Sequence, residues 1–139
     1  MRRSLANADD AWETRLVGAY HALTLAAQRA GEASPPSQEL EESLEARHLD
    51  FHHALIGACR SHWLLDLSTQ LYAQTERYRR PARAGATAYG PERNVDDEHR
   101  QLLDAAISRD VERSVAMLAA HYRKTCLLYT SDAADEEDS

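Results

Sequence analysis

The sequence predicts an all-α protein, an antiparallel bundle of about five helices. Apolar residues recur at intervals of three and four, as they do along one face of a helix. No alternating run of β-branched residues indicates a strand. Glycine and proline fall in short stretches that divide the chain into segments of helical length. The 139 residues are enough for one domain with one modest core.

The first two predicted helices are separated by a proline pair at positions 35 and 36. One spans residues 9–29, with Asp9 or Asp10 as its cap and Gly31 as its end. Its apolar stripe comprises Trp12, Leu16, Tyr20 and Leu23. The next helix is predicted over residues 38–59. Its buried side comprises Leu40, Leu44, Phe51, Leu55 and Cys59.

Three more helices are predicted, over residues 62–79, 95–108 and 111–125. A loop is predicted over residues 80–93, because that stretch contains two prolines and two glycines. Asn94 and Asp110 precede the last two helices, where each side chain can cap the first turn.

Composition limits the classes of function. A net charge of −7 argues against nonspecific nucleic-acid binding by this chain alone. No apolar run approaches the roughly 20 residues that a membrane span needs. The start of the chain lacks the apolar segment of a signal peptide, so we expect a cytoplasmic protein. Cys59 and Cys126 do not make a disulfide framework.

The last residues differ in character from the rest. Residues 126–136 (CLLYTSDAADE) resemble translated read-through of a sequencing-library adapter. We therefore divide the chain into a domain at 1–125 and a non-native, disordered tail at 126–139. The other interpretation is a natural acidic tail.

Four histidines fall on core-facing stripes of three predicted helices. His48 and His52 are one turn apart, His99 lies on the face that carries Leu102 and Leu103, and His121 lies near Leu118. Buried imidazoles need partners for both ring nitrogens and repel one another when protonated. A divalent transition metal resolves both problems, because neutral imidazole is a good ligand.

Two other interpretations of these histidines stay open. A lone inward histidine is more often a core residue with ordinary hydrogen bonds, which gives a metal-free structural bundle. A histidine-bound metal with an open position can also activate water, as in a metal-dependent hydrolase or oxygenase. Glu98 precedes His99 but is expected to face about 100° away around the helix, so no general base is evident.

Residues 51–56 (FHHALI), 98–110 (EHRQLLDAAISRD) and 118–121 (LAAH) together resemble the FCD effector domain. This is the C-terminal domain of FadR-type regulators in the GntR superfamily. The resemblance covers residues 2–125 and implies an antiparallel helical bundle whose first helix is missing from this chain. Residues 12–13, 51–56, 63–65 and 71–80 look closest to the carbon-starvation-induced regulator branch, which responds to small dicarboxylates.

The resemblance also implies a core metal held by one aspartate and three histidines. His52, His99 and His121 match the three histidines, and His48 stands where the family has aspartate. Asp50 is out of register by two residues. Four nitrogen ligands favour Zn²⁺ or Ni²⁺, with Mn²⁺ less well suited.

The family further implies a small carboxylate effector, such as a dicarboxylate, beside the metal. Arg77 and Arg80 are the candidates to bind it as a guanidinium fork, and Tyr72 can add a hydroxyl. The intact regulator is expected to be a homodimer that contacts DNA through a winged-helix domain absent from this chain. No membrane partner is expected.

Overall fold

The structure is a computed structural model. It describes the backbone of residues 1–84 and 93–136 and the side chains of residues 1–75 and 93–125. Over these ranges the chain is helical without strands, which confirms the predicted class. The helices are α1 (Arg2–Ala6), α2 (Asp10–Glu32), α3 (Gln38–Ile56), α4 (His62–Ala84), α5 (Val95–Ile107) and α6 (Val111–Glu136).

The predicted helix starts are confirmed by their caps. The Asp9 carboxylate accepts a hydrogen bond from the Trp12 amide at 2.7 Å, and the Asn94 side chain accepts one from the Asp97 amide at 2.9 Å. Asp110 caps α6 in the same way, through the Arg113 amide at 3.1 Å. Each cap satisfies an amide that the first turn leaves without a partner.

The helix ends differ more from expectation. The short α1 was not predicted, α2 continues through Gly31 to Glu32, and α3 ends at Ile56. α4 passes the expected break at Arg80 and ends at Ala84, immediately before Gly85. A single residue of low helix propensity does not have to end a helix when the residues on either side of it favour the helical state.

The segment predicted as a tail begins within α6. The backbone of α6 continues to Glu136, over a stretch that contains good helix formers at positions 127, 128, 133 and 134. The side chains after residue 125 lie outside the described residues, and the adapter origin of the tail stays a prediction.

Contacts between helices establish the antiparallel arrangement. The Trp12 indole at the start of α2 donates to the Ala54 carbonyl at the end of α3, at 2.8 Å. Thr69 of α4 lies 3.0 Å from His53 of α3, and Lys124 in the middle of α6 lies 3.1 Å from Glu98 early in α5. The pairs α2–α3, α3–α4 and α5–α6 therefore run in opposite directions.

The core lies between α2, α3 and α5. Its fully buried large side chains are Trp12, Leu16, Phe51, Leu55 and Leu102. Aromatic packing continues from Phe51 to His99, whose ring centroids are 5.3 Å apart. The histidines of α3 and α5 are thus fixed by the same packing that stabilises the bundle.

α4 is the least buried of the long helices over its described part. Trp63 is 70% exposed and Leu71 is 58% exposed. Tyr72 and Thr69 of this helix form hydrogen bonds with His48 and His53 of α3, and the space beside it forms a cavity next to the core histidines. No helix in the described part of the chain is long and apolar enough to cross a bilayer.

Candidate metal centre

The bundle brings the four predicted histidines together. His48 Nε2 lies 3.1 Å from His52 Nε2 on the same helix and 3.2 Å from His99 Nε2 on α5. The ring of His121, from α6, is stacked 5.2 Å from that of His52. One potential ligand atom from each residue lies within 4.8 Å of the others. We call His48, His52, His99 and His121 the histidine cluster.

The cluster is largely removed from water. His52, His99 and His121 are 4%, 3% and 5% exposed, while His48 is half-buried. Nitrogen ligands at the corners of a zinc tetrahedron are about 3.3 Å apart, since each Zn–N bond is about 2.0–2.1 Å. The two short Nε2–Nε2 distances match that spacing. The donor set therefore fits a divalent transition metal.

The Tyr72 hydroxyl links His48 Nδ1 to the Glu45 carbonyl. A backbone carbonyl can only accept, so the Tyr72 hydroxyl donates to the Glu45 carbonyl at 3.4 Å. The same oxygen then accepts from His48 Nδ1–H at 2.6 Å. With the proton on Nδ1, the Nε2 lone pair is directed toward the other histidines.

His121 is oriented by a carboxylate. Its Nδ1 lies 2.7 Å from Glu98 Oε2. Burial alone would raise the pKa of Glu98, but hydrogen bonds from Arg93, His121 and Lys124 lower that pKa to about 2. Burial lowers the pKa of His121, and Glu98 only partly opposes this. The contact is thus a neutral imidazole donating to a carboxylate, the usual orienting partner of a metal-binding histidine.

Glu98 lies at the centre of a partly buried ionic network. Arg93 donates to it through Nε at 3.1 Å and Nη2 at 3.0 Å, and Lys124 approaches at 3.1 Å. Arg93 Nη2 also donates to the His121 carbonyl and to the Thr125 hydroxyl, at 3.3 Å and 3.1 Å. The network joins the start of α5 to the middle of α6 around His121.

The sequence reasoning missed these partners. Glu98 was expected to face away from the histidines. That direction is right for His99 on its own helix, but the same direction leads to His121 on α6. Tyr122 was also missed; its hydroxyl lies 3.3 Å from His52 Nδ1. The signal was present in both cases, as a polar residue directly beside a cluster histidine in the sequence.

The other residues that the sequence analysis singled out are Asp50, Tyr72, Arg77 and Arg80. Asp50 forms an exposed ion pair with Arg47 at 3.2 Å, away from the cluster, as its register indicates. Tyr72 lies beside the cluster. The side chains of Arg77 and Arg80 lie outside the described residues.

Two of the cavities that the described residues form are lined by cluster histidines and differ in chemistry. The first, of about 400 Å³, is called the leucine cavity; its lining includes His48, His52 and His121, and half of its described lining residues belong to α4. The second, of about 330 Å³, is called the arginine cavity; its lining includes His99, Arg93, Asn94 and Asp96. A ligand in either cavity would lie beside the nitrogen atoms that fit a metal.

Residues 1–124 match the family described as the FCD domain. The uncharacterized HTH-type transcriptional regulator BphR of Paraburkholderia xenovorans strain LB400 is 40% identical over 121 residues, covering 87% of this chain and 47% of that protein. The HTH-type transcriptional repressor GlaR of Escherichia coli K12 is 27% identical over 119 residues, covering 85% and 52%. The chain spans about half the length of these curated relatives. No solved structure matches it significantly.

Proposed function

This chain belongs to the FCD domain family, and we propose that it is the ligand-sensing, metal-binding domain of a GntR-type transcription regulator. Its relatives are named as HTH-type transcription regulators, so the chain is a regulatory domain and not an enzyme. The observation that carries the metal-binding part is the convergence of four mainly buried imidazoles, which each offer one potential ligand atom within 4.8 Å of the others. Two of the Nε2–Nε2 distances are 3.1 Å and 3.2 Å.

We assign His48, His52, His99 and His121 as the metal ligands. Four imidazole nitrogens suit Zn²⁺ or Ni²⁺ better than Mn²⁺, which prefers oxygen ligands. A bound ion of this kind supplies a positive charge and an open position for an oxygen ligand. Tyr72 and Glu98 act as positioning residues, because each holds Nδ1 of one histidine and so directs Nε2 inward.

The ligand that we propose is a small carboxylate bound next to the metal. Tyr72 lines the leucine cavity, but its hydroxyl is already bonded to His48 and Glu45. We therefore assign Tyr72 the role of orienting His48 and not the role of binding the carboxylate. Arg77 and Arg80 remain proposed partners for the carboxylate, because they follow Tyr72 on the same helix.

Regulation is proposed to act on DNA through a part of the protein beyond this chain. In a homodimer, a ligand that binds one arrangement of the helices more tightly would shift the spacing of two DNA-contacting domains. Hydrogen bonds join His48 of the cluster to Tyr72 of α4, and His121 of the cluster to Glu98 of α5, so a ligand at the cluster can influence the positions of these helices.

Elemental analysis of the purified full chain, prepared without a histidine tag, tests the metal assignment. We expect close to one zinc or nickel ion per chain, and near-complete loss in a His52→Ala/His99→Ala variant. The matched control is His21→Ala/His62→Ala, which removes two exposed histidines outside the cluster. If the folded protein binds no metal after reconstitution, the cluster is a set of core histidines and the proposal is wrong.

A further inference from the structure

The leucine cavity is lined by two chemically different sets of side chains. One set is the imidazoles of His48, His52 and His121, and the other is Leu64, Leu67 and Leu71 of α4. Its volume of about 400 Å³ falls in the usual range for small-molecule sites. A molecule that fills it places a polar head against the histidines and its body against leucine.

The wall of this cavity offers little to a second charge. Among the described residues that line it, none is arginine or lysine, and the polar ones beyond the histidines are hydroxyl residues: Ser68, Tyr72, Thr75, Tyr122 and Thr125. The Tyr72 hydroxyl is already bonded to His48 and Glu45. Against the described part of this wall, a second carboxylate would lose its hydration without gaining a charged partner.

The arginine cavity does not supply that partner either. The Arg93 side chain is 9% exposed and donates two hydrogen bonds to Glu98, so its charge is already neutralised. Asp96 also lines this cavity and repels an anion. A dicarboxylate that reached across the cluster into this cavity would therefore meet Arg93, whose charge Glu98 already neutralises, and the negative charge of Asp96.

From this contrast we propose that the effector is an apolar monocarboxylate, with an alkyl or aryl body in the leucine cavity and its carboxylate toward the metal. The proposal rests on the proposed function and replaces the expected dicarboxylate by a different ligand class. Affinity comes mainly from burial of the apolar body, and the carboxylate fixes its direction.

Calorimetry with matched acids on the zinc-loaded full chain tests this. Heptanoate and pimelate have seven carbons each and differ only in whether the far end is methyl or carboxylate. We expect heptanoate to bind at least about tenfold more tightly than pimelate. Heptanoate is also expected to bind roughly tenfold more tightly than pentanoate, because two more methylenes are buried.

Two variants on α4 locate the binding. Leu71→Lys introduces a cation at the exposed rim of the leucine cavity and is expected to reverse the preference, so that pimelate binds more tightly than heptanoate. Trp63→Lys makes the same change at an exposed position that does not line this cavity, and is expected to leave both affinities unchanged.

The outcomes separate this inference from the proposed function. If zinc binds but the unmodified chain prefers pimelate, as a fork of Arg77 and Arg80 would favour, the inference is overturned and the metal-binding regulator stands. Zinc binding without affinity for any of these acids also overturns the inference. Failure to bind zinc overturns the proposed function, and the inference with it.

Discussion

The two sides of the histidine cluster are built from different chemistry. On the side of α5 and α6, the Glu98 carboxylate accepts hydrogen bonds from Arg93, His121 and Lys124. On the side of α3 and α4, a neutral tyrosine bonds to His48 and leucines surround an open cavity.

This difference separates support from sensing. On the ionic side several hydrogen bonds hold Glu98 and His121 in place, so this side is expected to stay fixed when a ligand binds. On the apolar side α4 packs loosely, leaving a space that a ligand can fill. The arrangement predicts that changes on the ionic side affect metal affinity and folding, whereas changes around the cavity affect ligand choice.

Replacing Glu98 is expected to have the largest effect. Glu98→Gln leaves the nearly buried Arg93 guanidinium without its carboxylate and weakens the orientation of His121. We expect zinc affinity to fall by roughly 10- to 100-fold. The free energy of unfolding is expected to fall by about 2 kcal/mol, less than for a fully buried pair. Zinc titration against a competing chelator and urea denaturation of the metal-free protein measure the two effects.

Glu112→Gln is the matched control. It removes the carboxylate of the exposed Arg2–Glu112 pair, far from the cluster. Exposed pairs contribute little to stability because water and salt screen them. If Glu98→Gln and Glu112→Gln changed zinc affinity equally, Glu98 would not be orienting the metal-binding His121.

Replacing Tyr72 is expected to have a smaller effect. Tyr72→Phe keeps the ring against α3 but removes the oxygen that accepts from His48 Nδ1. The loss of one such hydrogen bond is expected to weaken zinc binding roughly three- to tenfold. Tyr122→Phe is the comparison, because its contact with His52 is longer, at 3.3 Å. Competition titration should rank Tyr72→Phe as the weaker binder; the reverse order would contradict the assigned role.

The smallest expected effect is a pH dependence of the metal-free protein. Burial lowers the pKa of His121 below its ordinary value of 6.5, so the unfolded chain takes up this proton more readily than the folded one. Stability from the neutral imidazole is therefore present above pH 6.5 and is lost as the pH falls below it. Urea midpoints at pH 8 and pH 5.5 should differ more in the unmodified chain than in a His121→Asn variant. Equal differences would remove His121 as the cause.

The helical class and the histidine faces could be predicted because they depend on local patterns. The caps Asp9, Asn94 and Asp110 were identifiable, since capping involves residues only three positions apart. The same periodicity placed His48 and His52 on one inward face. Convergence with His99 and His121 followed because inward faces of a small bundle share one core.

The partners of the histidines could not be predicted in the same way. Arg93 falls in a segment that the sequence describes only as a loop, and its contact with Thr125 spans 32 residues. Whether Glu98 faces solvent or α6 depends on which helix packs beside α5, which periodicity does not determine. These contacts depend on the tertiary arrangement. They hold the histidines in fixed orientations, which four histidines that merely point into the core would not have.

The two tryptophans give this domain a pair of independent fluorescence reporters. Trp12 is 1% exposed and its indole bonds to the Ala54 carbonyl between α2 and α3, so its emission follows the integrity of the core. Trp63 is 70% exposed on α4, where aqueous quenchers reach it directly. A Trp63→Phe protein therefore has a single emitter that reports unfolding of the bundle, and a Trp12→Phe protein has one that reports the surroundings of α4.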